Sequence, residues 1–234
     1  MLPSSEQTLQ DLLRGRSAQA ARLEREVLEL GETWSPGDHP LMRRWVAGEL
    51  SDAELRSFAA EHYHAVLALA EAAARAARVS DGLLGDQLRR YAVAQERAVE
   101  LWLQFAAATG WGGSAWYFGE DPLQETVACA GAWCAESDSL ADHLVIIWAL
   151  ESALAPLARA QGEALRATYG MPGQAVRYFD RHARRGAHDA ALAQAGLTSL
   201  LPVTAPLALV CRAEFACRSY LELLDGVARQ LSGA

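Results

Sequence analysis

SLADHLVIIWALESALAPLARAQGEALRATY, residues 139–169, decides the fold. It is helix-length, apolar around most of its circumference, and carries a lone carboxylate, Glu151, at its middle. Its Ala and Leu content favours a helix. Pro156 is expected to kink that helix, because proline lacks the N–H that would bond one turn back. A carboxylate inside an apolar helix is costly to bury unless it is paired, metal-bound or protonated. A partner is offered by YFDRHARRGAHDAAL, residues 178–192. There His182, Gly186 and Asp189 stand at i, i+4 and i+7, which is one helix face. His188 falls about 120° away from that face.

Working outward, strand-forming residues are sparse and helix formers dominate, so the chain reads as all-α. Breakers leave helices over about 5–30, 40–48, 52–78, 85–109, 123–136, 139–169, 178–192 and from Pro202 or Pro206 to 231. Ser51-Asp52-Ala53-Glu54 is a capping box that opens the third of these. GWGGSAWYFGEDP, residues 110–122, is the longest irregular stretch. Its Trp111, Trp116, Tyr117 and Phe118 read either as a pocket rim or as anchors of the loop itself. The sum is a bundle of seven to eight helices forming one domain over residues 1–234.

Composition bounds the function. The chain has 234 residues, 51% of them hydrophobic, and a net charge of −8. That size supports one full core, and the acidic balance argues against nucleic-acid binding. All 21 basic residues are arginine, so no lysine Schiff base is available. Cys129, Cys134, Cys211 and Cys217 form no CxxC pair and read as buried intracellular thiols rather than a zinc site. No signal peptide and no run of about 18 uncharged apolar residues is visible, so a cytoplasmic protein without a membrane span is expected.

Four segments together carry a family resemblance: HPLMRRWVAGELSDAELRSFAAEHY, ERAVELWLQFAAATG, SLADHLVIIWALESALAP and YGMPGQAVRYFDRHARRGAHDAAL. In order and spacing, from about His39 to Asp225, they resemble the haem-oxygenase-like superfamily. That superfamily contains thiaminase II, the pyrroloquinoline quinone synthase and iron-dependent oxidases and oxygenases. The resemblance implies a haem-oxygenase-like bundle with a central pocket for a small molecule, commonly as a homodimer.

The iron-dependent branch binds metal through a Glu and a His seven apart on one helix, a Glu on the long helix, and His-x3-Asp-x2-His on the next. By that resemblance Glu151 and His182 match. Tyr91, Ala98, Gly186 and Asp189 stand at the other four positions. Fe(II) held by Glu151, His182 and Asp189 is one expectation, with Glu151 and His182 catalytic and O2 as co-substrate. The metal-free manner of the quinone synthase is the other. Tyr91, Gln95, Ala98 and Trp102 share a face, and with Tyr178 they make a substrate wall that suits an organic ligand.

The thiaminase branch needs a cysteine near Ile147, and none is there; Glu214 loosely matches that branch's terminal Glu. A metal-free oxidase, lyase or hydrolase, and a non-catalytic small-molecule-binding member, are the alternatives to the oxidase. His62 and His64, near where the family carries polar pocket residues, read as surface or satisfied histidines, with reach into the pocket as the alternative. His39 reads as a loop or capping residue, and Arg181, Arg184 and Arg185 as a solvated face. That arginine face is also a candidate for attracting an acidic substrate.

Overall fold

The computed structural model describes residues 5–111, 121–134, 137, 139–200 and 206–232. Eight α-helices follow in order: α1 Ser5–Thr33, α2 Pro40–Ala47, α3 Asp52–Arg78, α4 Gly82–Ala108, α5 Gln124–Cys134, α6 Leu140–Ala167, α7 Gly173–Leu200 and α8 Pro206–Ser232. A 3-10 turn, Pro36–Asp38, precedes α2. Among the described residues there is no strand. The readings of Trp116, Tyr117 and Phe118 lie outside the described residues. Trp111 is inside them, buried and packed against Tyr63 at 5.8 Å.

Local chemistry sets the helix ends. His39 caps α2, its Nδ1 accepting the Leu41 N–H at 3.2 Å. Gly48 closes that helix at φ +78, a left-handed conformation that costs glycine little. At α3 the Ser51 hydroxyl accepts the Glu54 N–H while Glu54 Oε2 accepts the Ser51 N–H, so both halves of the capping box form. At least three helices are longer than their sequence patterns suggest, α1 running to Thr33 rather than about residue 30. α4 begins at Gly82 rather than near Gly85. α7 runs past Leu192 to Leu200, because Ala193, Gly196 and Leu197 continue its buried face.

α6 is the axis of the bundle. It packs against α7 over the largest helix–helix interface among the described residues and also touches α1, α2, α3 and α8. It continues through Pro156 as one helix. By length and composition α6 is apolar enough to cross a membrane, but 61% of its most apolar window is buried inside the bundle. Neighbouring helices account for that apolarity.

The α6–α7 contact is tightest at Gly186. A Cβ placed there would lie 2.4 Å from the Ala155 Cβ and 3.3 Å from the Glu151 carbonyl oxygen. Glycine therefore lets α7 close onto α6 beside Glu151. Replacing Gly186 with alanine gains about 1 kcal/mol of helix propensity but overpacks the contact by about 1–3 kcal/mol. Gly186→Ala should lower stability in chemical denaturation, and adding Ala155→Gly should recover the loss. A Gly186→Ala protein as stable as the parent would show that the helices do not meet so closely.

Candidate functional site

The centre forms where α4, α6 and α7 meet. Glu151 is 1% exposed. Tyr91 and Gln95 stand four residues apart on α4, so both reach the same atom. The Tyr91 hydroxyl and the Gln95 side-chain amide each donate to Glu151 Oε1 at 2.7 Å. Glu151 Oε2 faces only a long contact, 3.6 Å, to His182 Nδ1 on α7. On the far side of that ring, Arg181 Nη1 lies 3.3 Å from Nε2. A guanidinium can only donate, so Nε2 accepts and the ring proton sits on Nδ1, toward Glu151. The other terminal nitrogen of Arg181, Nη2, is buried without a hydrogen-bond partner.

Electrostatics follow from this geometry. Burial alone pushes the Glu151 carboxyl up. The neighbouring His182 ring, the Tyr91 hydroxyl and the Arg181 guanidinium together outweigh it, so the group sits below its ordinary value. Tyr91 is held far above the usual phenol range, first by burial and then by the Glu151 charge. Glu151 is thus the ionised member of the pair and Tyr91 the neutral donor.

The remaining predicted residues divide. Tyr178 packs on the His182 ring at 4.4 Å and on Trp102 at 4.7 Å. Trp102 donates its indole N–H to the Ala59 carbonyl at 2.9 Å, so its polar edge is committed to the scaffold. Asp189 is 3% exposed and its carboxylate accepts from Arg185 at 3.1 Å. Burial and the Glu151 charge raise it, against Arg185, Arg181 and His188.

The roomy central pocket does not appear among the described residues. The cavity between Trp102, Tyr178, His182 and Tyr220 measures about 20 Å³, room for about one water. The aromatic side chains meant to line a pocket instead fill it.

The expected iron triad is also not assembled. Among the described residues no three His, Cys, Asp or Glu side chains converge to hold a metal ion. Glu151 Oε1 is saturated by Tyr91 and Gln95, Asp189 is engaged by Arg185, and Ala98 offers no donor. At Gly186 the helix contact leaves no room for the aspartate of the iron-binding pattern. The donor set does not fit the family's iron centre.

Two residues join the site that sequence reasoning set aside. Arg181, read as solvated, places one nitrogen on His182 and buries another. His62, expected to be a surface or satisfied histidine, is 5% exposed and packs against Phe58, Trp102, Trp133 and Tyr220. Its Nδ1 is buried with no partner. The available signal was its spacing: His62 lies four residues after Phe58 and seven after Leu55, on the apolar face of α3.

This geometry belongs with a known group of proteins. Residues 27–195 match the model of the TENA/THI-4/PQQC family. The chain belongs to that family. No curated protein matches it at a significant level. Among solved structures, it is similar to a TenA homologue from Pseudomonas syringae pv. tomato DC3000, with 14% identity, a TM-score of 0.76, and coverage of 91% of this chain and 93% of that one. A domain of unknown function with a haem oxygenase-like fold, from Shewanella denitrificans OS217, matches at 16% identity and a TM-score of 0.71, covering 91% and 93%. A TenA homologue from P. horikoshii OT3 matches at 14% identity and a TM-score of 0.65, covering 88% and 95%. At these identities the likeness establishes the haem-oxygenase-like fold. The thiaminase position, Ile147, is buried and apolar. Burial pushes the Cys129 and Cys217 thiols up to about 12, so neither is a ready nucleophile.

His62 gives this member of the family a pH signature. Burial, then the proximity of the His182 ring, lowers it to about 3, against 6.5 for an ordinary histidine. Between those values the unfolded chain takes up a proton that the folded chain refuses, so stability falls as pH drops below about 6.5. The loss between pH 7 and pH 5 is about 2 kcal/mol from this residue. His62→Phe should flatten the fall of melting temperature over that range. An unchanged slope would mean that His62 protonates in place.

Proposed function

We propose that this TENA/THI-4/PQQC family member is a metal-independent enzyme that transfers protons on a small organic metabolite. Glu151 serves as the base, and His182 and Tyr91 hold its charge. The observation that carries this reading is the unequal treatment of the two Glu151 oxygens. Oε1 takes two donors at 2.7 Å, whereas Oε2 has only the 3.6 Å contact to His182. A purely structural carboxylate gains from saturating both oxygens; one fixed and one under-coordinated oxygen suits a group that must accept a proton and release it.

Glu151 would take a proton from the substrate or from an attacking water through Oε2. The carboxyl then becomes neutral and the negative charge passes to the deprotonated substrate or hydroxide, which the His182 Nδ1–H beside Oε2 would bond; Arg181 would keep that ring in the Nδ1–H tautomer. Tyr91 and Gln95 stop the carboxylate from rotating. This chemistry serves a hydrolase or lyase, and equally the deprotonation that precedes oxidation of a bound substrate by O2. A second reading, a binding protein without turnover, draws on the filled centre and its cavity of about 20 Å³.

The test is to incubate purified protein with a pool of small metabolites and follow depletion by mass spectrometry, with and without air, iron and a chelator. Depletion that persists with chelator, whether or not it needs oxygen, and falls about 100-fold or more in Glu151→Gln, supports the proposal. Depletion that needs iron would return the protein to the iron oxidases. Full activity in Glu151→Gln would remove that residue from the chemistry. Stabilisation by a metabolite without its consumption would favour the binding protein.

A further inference from the structure

A cleft of about 420 Å³ opens between α4 and α7, lined by Gln87, Arg90, Tyr91, Arg185, His188 and Asp189 among others. That volume lies in the range of about 300–1,000 Å³ typical of small-ligand sites. On α4, Gln87, Arg90 and Tyr91 are spaced i, i+3 and i+4; on α7, Arg185, His188 and Asp189 repeat the same spacing. Each helix therefore turns one face into the cleft.

We propose that this cleft is an oxyanion-binding subsite, where Arg90, Arg185 and His188 hold the carboxylate or phosphate of a small ligand against Tyr91. The inference rests on the reading of Glu151 as the base and supplies the missing substrate class.

Charge carries the argument. The chain as a whole is at −8, yet the side chains around this cleft leave an excess of positive groups. Arg90 is exposed and forms no hydrogen bond or ion pair among the described residues; Asp86, one turn earlier, is taken by Arg89 at 2.6 Å. Asp189 is the acid in the cleft wall, and Arg185 neutralises it at 3.1 Å. The pair is lopsided: the Asp189 side chain is 3% exposed and that of Arg185 54%. The carboxylate is sunk in the wall while the guanidinium stands in the opening. A guanidinium has five N–H donors, so Arg185 has donors left for a ligand. His188 adds a third donor from the same helix and is exposed. A pocket with this charge in an acidic protein concentrates small anions, and arginine forks match carboxylate and phosphate oxygens.

Position links the cleft to the chemistry. Tyr91 lines it and donates to Glu151 Oε1 at 2.7 Å. A ligand anchored on the arginines would lie one side chain away from the base.

The experiment measures melting temperature against inorganic phosphate and, separately, succinate, at constant ionic strength balanced with chloride. Three proteins are compared: the parent, Glu151→Gln, and the double variant Arg90→Gln with His188→Gln. The last two substitutions change exposed side chains that break no ion pair, so folding should survive. A saturable rise with at least one of the two anions is expected in the parent and in Glu151→Gln. The apparent Kd should weaken by about tenfold or more in the double variant. A response to phosphate alone or to succinate alone would identify which oxyanion the subsite takes. No response beyond the chloride control, or an equal response in the double variant, would overturn the subsite. Glu151→Gln that keeps both anion binding and full turnover would instead sink the role of Glu151 and leave the subsite standing.

Discussion

Burying one ionised carboxylate is the constraint around which this bundle is built. Stripped of water, the Glu151 side chain would favour its neutral form or force α6 apart from its neighbours. Two donors at 2.7 Å from α4, a histidine from α7 and an arginine beside it reverse that balance. The partners come from two other helices, so the electrostatic requirement of one side chain constrains the relative rotation of α4, α6 and α7. Losing one partner would leave a buried charge short of its compensation, which costs more than the bond itself is worth.

Close approach makes that compensation possible. The absence of a side chain at Gly186 lets α7 press against Ala155 and the Glu151 carbonyl. The same closure removes the room that a ligand at Gly186 would need. In this family member one glycine therefore trades a coordination position for helix contact. The aromatic side chains behind the pair, Trp102, Tyr178, Phe58 and Tyr220, fill the centre down to a void of about 20 Å³. Larger spaces lie outside, among them the α4–α7 cleft, where Tyr91 forms the wall between solvent and the buried carboxylate. Hydrogen-bonded interior and charged exterior meet at that one tyrosine.

Much of this was legible in the sequence, because helical periodicity is local. The spacing of His182, Gly186 and Asp189, and of Tyr91, Gln95, Ala98 and Trp102, identified two faces whose members are all buried. The capping box at Ser51, the cap at His39 and the interruption near Gly170 follow from short-range bonding rules. The lone carboxylate in an apolar helix announced itself as a residue needing partners. His62 left a fainter trace, a polar ring on an apolar face; Arg181 left none, because one face of a helix and its edge differ by a single residue in an arginine-rich run.

The sequence by itself determined the helices, their inward faces and the need to compensate Glu151, since these depend on residues within two turns of one another. Only the tertiary structure decided which atoms meet. That Tyr91 and Gln95 share one oxygen, that Arg181 sets the His182 tautomer, that His62 lies among rings from α4, α5 and α8, and that among the described residues the space between Trp102, Tyr178 and Tyr220 is nearly filled all depend on distances between helices. Those distances are set by side-chain volumes at the crossings, such as the missing one at Gly186. No periodicity along a single helix records the volume of what faces it.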